Sequence, residues 1–279
     1  MQTLDRVDEV DWSSLRGVDG PATEVPDLLR ALPSGDTDAL LGELYNTVCN
    51  QGTRFEAAAH VVPFLVGLCV DPANAGRDHI LWVVADLAIG EDAAWLPDGF
   101  PVAAERAELA RPHAAPRHTA GSGFRTPALM AHAMRAYDAV RAEIPVIADL
   151  LDDPDPAVRT VAAYALAWFP EDAAMLVPRL LARLDREPVA NARAAALLAL
   201  GLLGDDRAAA ERHLDHPERA VRLAAAIASG GRPGVLRAAV RDRFDEGEPR
   251  IPFLGGLANY AERVLTARRS SPPRARPGP

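Results

Sequence analysis

Glu143-Ile144-Pro145-Val146-Ile147-Ala148-Asp149-Leu150-Leu151-Asp152-Asp153-Pro154-Asp155-Pro156-Ala157-Val158-Arg159, running on to Phe169, is the stretch that decides the fold. It reads as two helices around a turn. Asp152 to Pro156 packs three aspartates and two prolines together, which ends a first helix. Pro156 then suits the first turn of a second helix, where its missing N–H leaves no hydrogen bond unmade. In that second helix Val158, Val161, Ala162, Ala165, Leu166 and Phe169 share one face, and Thr160, Tyr164 and Trp168 another.

Working outward, the same layout returns. Val25-Pro26-Asp27-Leu28, Val62-Pro63-Phe64-Leu65, Ile144-Pro145-Val146-Ile147, Val177-Pro178-Arg179-Leu180 and Ile251-Pro252-Phe253-Leu254 form a proline-anchored series. The prolines stand 37, 82, 33 and 74 residues apart. One period of about 33 to 41 residues explains the series if two copies have lost the proline, and periods of that size mark helical solenoids. Pro154 to Arg159, Pro188 to Arg193 and Pro217 to Arg222 share one spacing, and each arginine is followed at +3 and +6 by alanine. Small residues at helical spacing let neighbouring helices approach closely.

On these residues the chain resembles HEAT-repeat proteins of the type also found in phycobilin lyases. Their units pair a proline-bearing first helix with an Asp-rich turn and a second helix opened by Val-Arg. The resemblance is strong over 143–203 and weaker over 24–50, 58–89 and 205–231. It implies an all-α, right-handed α-solenoid: one domain over 1–266, an insertion or degenerate repeat over 90–126, and a disordered basic Pro/Arg-rich tail over 267–279. Asn50-Gln51-Gly52-Thr53 before a proline helix is also similar to a bacterial HEAT-repeat group with no assigned activity. Read physically, Gly52 ends one helix and Thr53 with Glu56 forms a capping box for the next.

Composition agrees with a repeat array, whose units pack only on their neighbours. Apolar residues are 49% of the 279 but aromatics only 5%, so the core is built from Ala, Leu and Val. All 30 basic residues are arginine, and residues 1–150 hold 11 of them against 22 acids. The net charge of −9 counts against nucleic acid as the main partner, since duplex binders carry a basic stripe. Cys49 and Cys69 lie in apolar helical patterns and read as free thiols. No apolar run approaches a membrane span, and the acidic start of the chain (Asp5, Asp8, Glu9, Asp11) is unlike a secretion signal. The expectation is a cytoplasmic protein with no membrane contact.

Carrying the register of Tyr164 and Trp168 to the other second helices places Glu43, Trp82, Asp86, Leu198 and Leu202 on an equivalent surface. The resemblance implies that these helices line the concave side. There Trp82, Tyr164 and Trp168 would anchor a partner, Leu198 and Leu202 would extend the surface, and Glu43 and Asp86 would select a cationic or hydrogen-bonding group. The alternative is that these side chains pack on the insertion or on adjacent helices, as large side chains in solenoids usually do. A second candidate is the carboxylate-free stretch between Glu108 and Asp138. Arg111, Arg117, His118, Arg125 and Arg135 fall there and could meet an anion or an acidic partner.

Catalytic signatures are absent. The chain has no Gly-x-x-x-x-Gly-Lys phosphate loop, no Gly-x-Ser-x-Gly elbow and no His-Glu dyad, and no metal or cofactor is expected. The reading is a non-catalytic scaffold for a protein partner. The alternative, by likeness of fold, is a HEAT-like DNA glycosylase acting on alkylated bases, with Trp82, Asp86, Tyr164 and Trp168 around an exposed nucleotide.

Overall fold

The structure, a computed structural model, describes residues 2–111, 117–119, 123–204, 207–241 and 251–270, with the backbone alone at 117–119, 123–125 and 268–270. Helices come in pairs: α1 (Val25–Ala31) with α2 (Thr37–Val48), and α3 (Ala58–Val70) with α4 (Arg77–Ile89). Outside the pattern come α5 (Val102–Leu109) and α6 (Pro127–Ala142). Pairing resumes with α7 (Ile144–Asp149) and α8 (Pro156–Leu166), α9 (Ala173–Arg186) and α10 (Ala190–Leu202), and α11 (Arg207–Glu211) and α12 (Arg219–Ala228). The last helices are α13 (Pro233–Arg241) and α14 (Leu257–Ser270).

The second helices stack in one row. α4 packs on α8, α8 on α10 and α10 on α12, with α2 against α4 at one end and α14 against α12 at the other. The alanines make this row possible: a Cβ added at Gly201 of α10 would stand 2.9 Å from the Cα of Ala228 in α12. The row steps from α4 directly to α8. Between them in sequence, α6 lies against both α3 and α4, and its Tyr137 stacks between Phe100 and Phe169 with ring centroids 5.0 and 4.8 Å away.

The constant spacing from proline to arginine has a structural cause. Arg159 donates through Nη1 to the carbonyls of Asp153 (2.8 Å) and Pro154 (3.0 Å) in its own turn. Its Nε and Nη2 reach Glu187 in the next turn at 2.8 and 2.9 Å. Arg193 likewise bonds the Glu187 carbonyl behind it and meets His216 Nε2 ahead of it at 2.8 Å. Arg222 caps the carbonyls of His216 (2.6 Å) and Pro217 (2.5 Å). Arg77, five residues after Pro72, donates to the Cys69 carbonyl (3.1 Å) and grips Asp153 with two 2.7 Å bonds. Each arginine thus satisfies carbonyls at its turn, and Arg77, Arg159 and Arg193 also tie that turn to the next unit.

Three expectations are corrected. Pro26, Pro63, Pro145 and Pro178 all lie in first helices, but Ile251-Pro252-Phe253-Leu254 is a turn before α14, with Leu254 at φ 53° and Gly255 at φ 66°. Thr53 and Glu56 form no helix cap. Cys49–Asn50 (β1) instead pairs antiparallel with Thr53–Arg54 (β2) around Gln51 (φ 48°) and Gly52 (φ 74°), the left-handed pair a tight two-residue hairpin requires. Finally, α14 runs to Ser270, past the tail boundary expected at 267. The rest of that tail lies outside the described residues. Among the described residues no helix is long and apolar enough to cross a membrane.

Candidate binding cleft

α8 is buried all round: every residue from Val158 to Phe169 is buried, because α4 and α10 flank it and the 251–260 segment closes its remaining face. Tyr164 is 1% exposed and Trp168 0%. Phe253 sits edge-on to Tyr164 at 4.9 Å, 6.3 Å from Trp168 and 5.9 Å from Tyr260. Leu254 N–H donates to Asp92 (2.7 Å) and Arg263 to the Ala93 carbonyl (2.6 Å), which pins the covering segment to the chain just after α4. Tyr164 and Trp168 are therefore core, not partner anchors. Leu198 is 1% exposed, and Leu202 is half-buried beside Gly99. The sequence held the signal for this cover: Gly255-Gly256 follows Leu254 directly and stops any first helix there.

Glu43 and Trp82 remain at the surface, Trp82 with 43% of its area exposed. Trp82 opens a cleft of about 670 Å³ between α2, α4 and the 251–255 turn. Leu41, Tyr45, Val83, Val161, Ile251 and Pro252 give it apolar walls, and Asp38, Asp78 and His79 stand at its edge. His79 Nδ1 meets Asp38 at 2.5 Å. A second hollow of about 700 Å³ adjoins it, sharing Asp38 and Gly42, and is lined by Asp19, Glu24 and Glu43. Among the described residues no arginine lines either one.

Asp86 is one turn beyond Trp82 on α4 and only 6% exposed. Among the described residues no donor reaches its carboxylate. Burial pushes it well above the usual carboxylate range, Asp92 and Glu91 push the same way, and Arg54 opposes them. Burial also raises Asp92, against the Leu254 N–H and the Tyr164 hydroxyl that bond it. Cys49 is raised by burial to about 11, so its thiol is inert at neutral pH. Trp82, Asp86, Tyr164 and Trp168 do not share a surface, so the arrangement imagined for a glycosylase does not assemble.

The basic stretch is a separate region. Arg117–Thr119 (β3) pairs antiparallel with Gly123–Arg125 (β4), placing Arg117 opposite Arg125 and His118 opposite Phe124 in register. The side chains of Arg117, His118 and Arg125 lie outside the described residues. Arg111 is exposed and paired with Glu108 at 3.0 Å, and Arg135 is exposed with its Nη2 2.5 Å from His132 Nδ1.

Compared with known families, residues 125–201 match the model of HEAT repeats, a span that runs from α6 through most of α10. No curated protein matches the chain.

Proposed function

We propose that this HEAT-repeat protein is a non-catalytic scaffold that holds a protein partner at the Trp82 cleft. The observation that carries the reading is Trp82 itself. It is the most exposed large hydrophobic side chain among the described residues, on a helix whose other long apolar residues are buried. Tryptophan next to an apolar hollow is the kind of anchor on which interfaces concentrate their binding energy. HEAT repeats commonly mediate protein interactions. Here the arginine ladder fixes the row of helices before any partner arrives, which lowers the ordering cost of binding.

Chemistry in the cleft supports binding over catalysis. Among the described residues its lining holds no serine, threonine or cysteine, and its histidine is engaged with Asp38. The test is a photo-crosslinking side chain placed at position 43, read in host cells with and without Trp82→Ala. A partner should crosslink to the wild-type cleft and vanish with Trp82→Ala, while the unfolding free energy stays within the small range typical of surface substitutions, roughly 0.5 kcal/mol. A partner retained by the Trp82→Ala protein would move the interface elsewhere, with Arg111 and Arg135 the next positions to label.

A further inference from the structure

We infer that the Trp82 cleft selects a cationic side chain on an apolar stem, arginine above all, presented by a basic segment of the partner. This rests on the scaffold reading and adds the chemistry of what is held. Asp78, Trp82 and Asp86 follow one another at four-residue intervals along α4, so a carboxylate, an indole and a second carboxylate form one stripe on that helix. The stripe runs from the cleft, which Asp78 and Trp82 line, toward the interior, where Asp86 is buried behind them. Tyr45 forms one wall, and its hydroxyl is near enough to Asp86 to feel that charge.

Each part of an arginine side chain has a counterpart here. The methylene stem matches Leu41, Val83 and Pro252, and the guanidinium plane matches the exposed face of Trp82, a favourable arrangement for stacking and for cation–π attraction. Its N–H groups match the carboxylates of Asp38 and Asp78 in the lining, each of which keeps acceptor capacity beyond its contact with His79. The surroundings reject the opposite charge: the adjoining hollow adds Asp19, Glu24 and Glu43, and among the described residues no arginine lines either hollow. A carboxylate-bearing segment would meet an excess of like charge among these residues, whereas a basic one gains from it.

The test uses the full chain and four fluorescein-labelled peptides of the form Gly-Leu-X-Leu-Gly, with X arginine, lysine, citrulline or glutamate, titrated by fluorescence anisotropy. Citrulline keeps the shape of arginine and removes the charge. The arginine peptide should bind most tightly, citrulline at least about tenfold more weakly, which corresponds to about 1.4 kcal/mol, and glutamate least. Asp78→Asn and Glu43→Gln should each shrink the ratio of arginine to citrulline affinity, and Trp82→Ala should weaken all four peptides. Equal binding of arginine and citrulline peptides overturns charge selection while leaving the scaffold reading intact. Failure of every peptide to bind also overturns it, and crosslinking from position 43 then judges the scaffold reading separately.

Discussion

Arg159 and Glu187 form a buried ion pair, 7% and 0% exposed, whose two hydrogen bonds of 2.8 and 2.9 Å join the turn after α7 to the turn after α9. Glu187 is the hub of this joint. Beyond Arg159 it accepts from Arg183 Nε (2.8 Å) and from the Val189 N–H (3.0 Å), which secures the entry to α10. A single carboxylate thus holds a first helix, a second helix and the neighbouring unit in one geometry.

Removing that carboxylate leaves Arg159 charged and buried. Glu187→Ala should therefore cost about 3–5 kcal/mol, as breaking a buried pair does, read as a lower urea midpoint. The pH dependence has a definite sign. Burial works to raise Glu187, but the Arg159, Val189 and Arg183 bonds outweigh it and hold the group below its ordinary 4.5. Its contribution is present above that ordinary value and is lost as pH falls through the depressed one. The wild-type advantage over Glu187→Ala should shrink below about pH 4; an advantage that grows on acidification would contradict the pairing.

Much of this framework was legible in the sequence because it is local. The Asp152–Pro156 turn, the start of α8 at Pro156 and the arginine five residues after each turn proline all follow from neighbours within one unit. What escaped was long-range. Assigning Tyr164 and Trp168 to an open face assumed that nothing returns to cover it, yet Phe253 does so from about 90 residues downstream. Helical periodicity ranks the faces of a helix but does not say how many of them are packed, and α8 is packed on all of them. Trp82 was visible as an aromatic on a second helix. Its exposure depends on where the 251–255 turn ends, which no local pattern encodes.

Asp86 offers a test of a buried group that does not serve stability. Its carboxyl is raised in the fold by burial, with Asp92 and Glu91 adding to the effect and Arg54 opposing it. The folded protein then holds its proton more tightly than the unfolded chain does. Stability falls as pH rises from the ordinary carboxylate value through the raised one. Asp86→Asn removes that penalty, so the variant should unfold at higher urea than wild type at pH 7, with the difference closing toward pH 4. Equal midpoints at pH 7 would mean that the carboxylate is relieved by solvent.

Trp82 on α4 and Trp168 in the turn just after α8 should respond to truncation differently. Trp168 is fully buried against Phe253 and Tyr164, and its indole N–H has no acceptor among the described residues. Trp168→Ala should cost about 3–5 kcal/mol because it opens a cavity under the covering turn. Trp168→Phe should cost much less, since losing some packing is offset by deleting an unbonded buried donor. Phe253→Ala acts on the same contact from the other side. It should lower stability by a similar amount and shift tryptophan emission to the red as water reaches Trp168, whereas Trp82→Ala should leave the unfolding midpoint almost unmoved. A double mutant of Phe253→Ala with Trp168→Ala should be less destabilised than the sum of the two, because each single change already breaks the shared contact. Strict additivity would show that the turn and α8 are not coupled, and that the cover on this face is looser than its 0% exposed rings indicate.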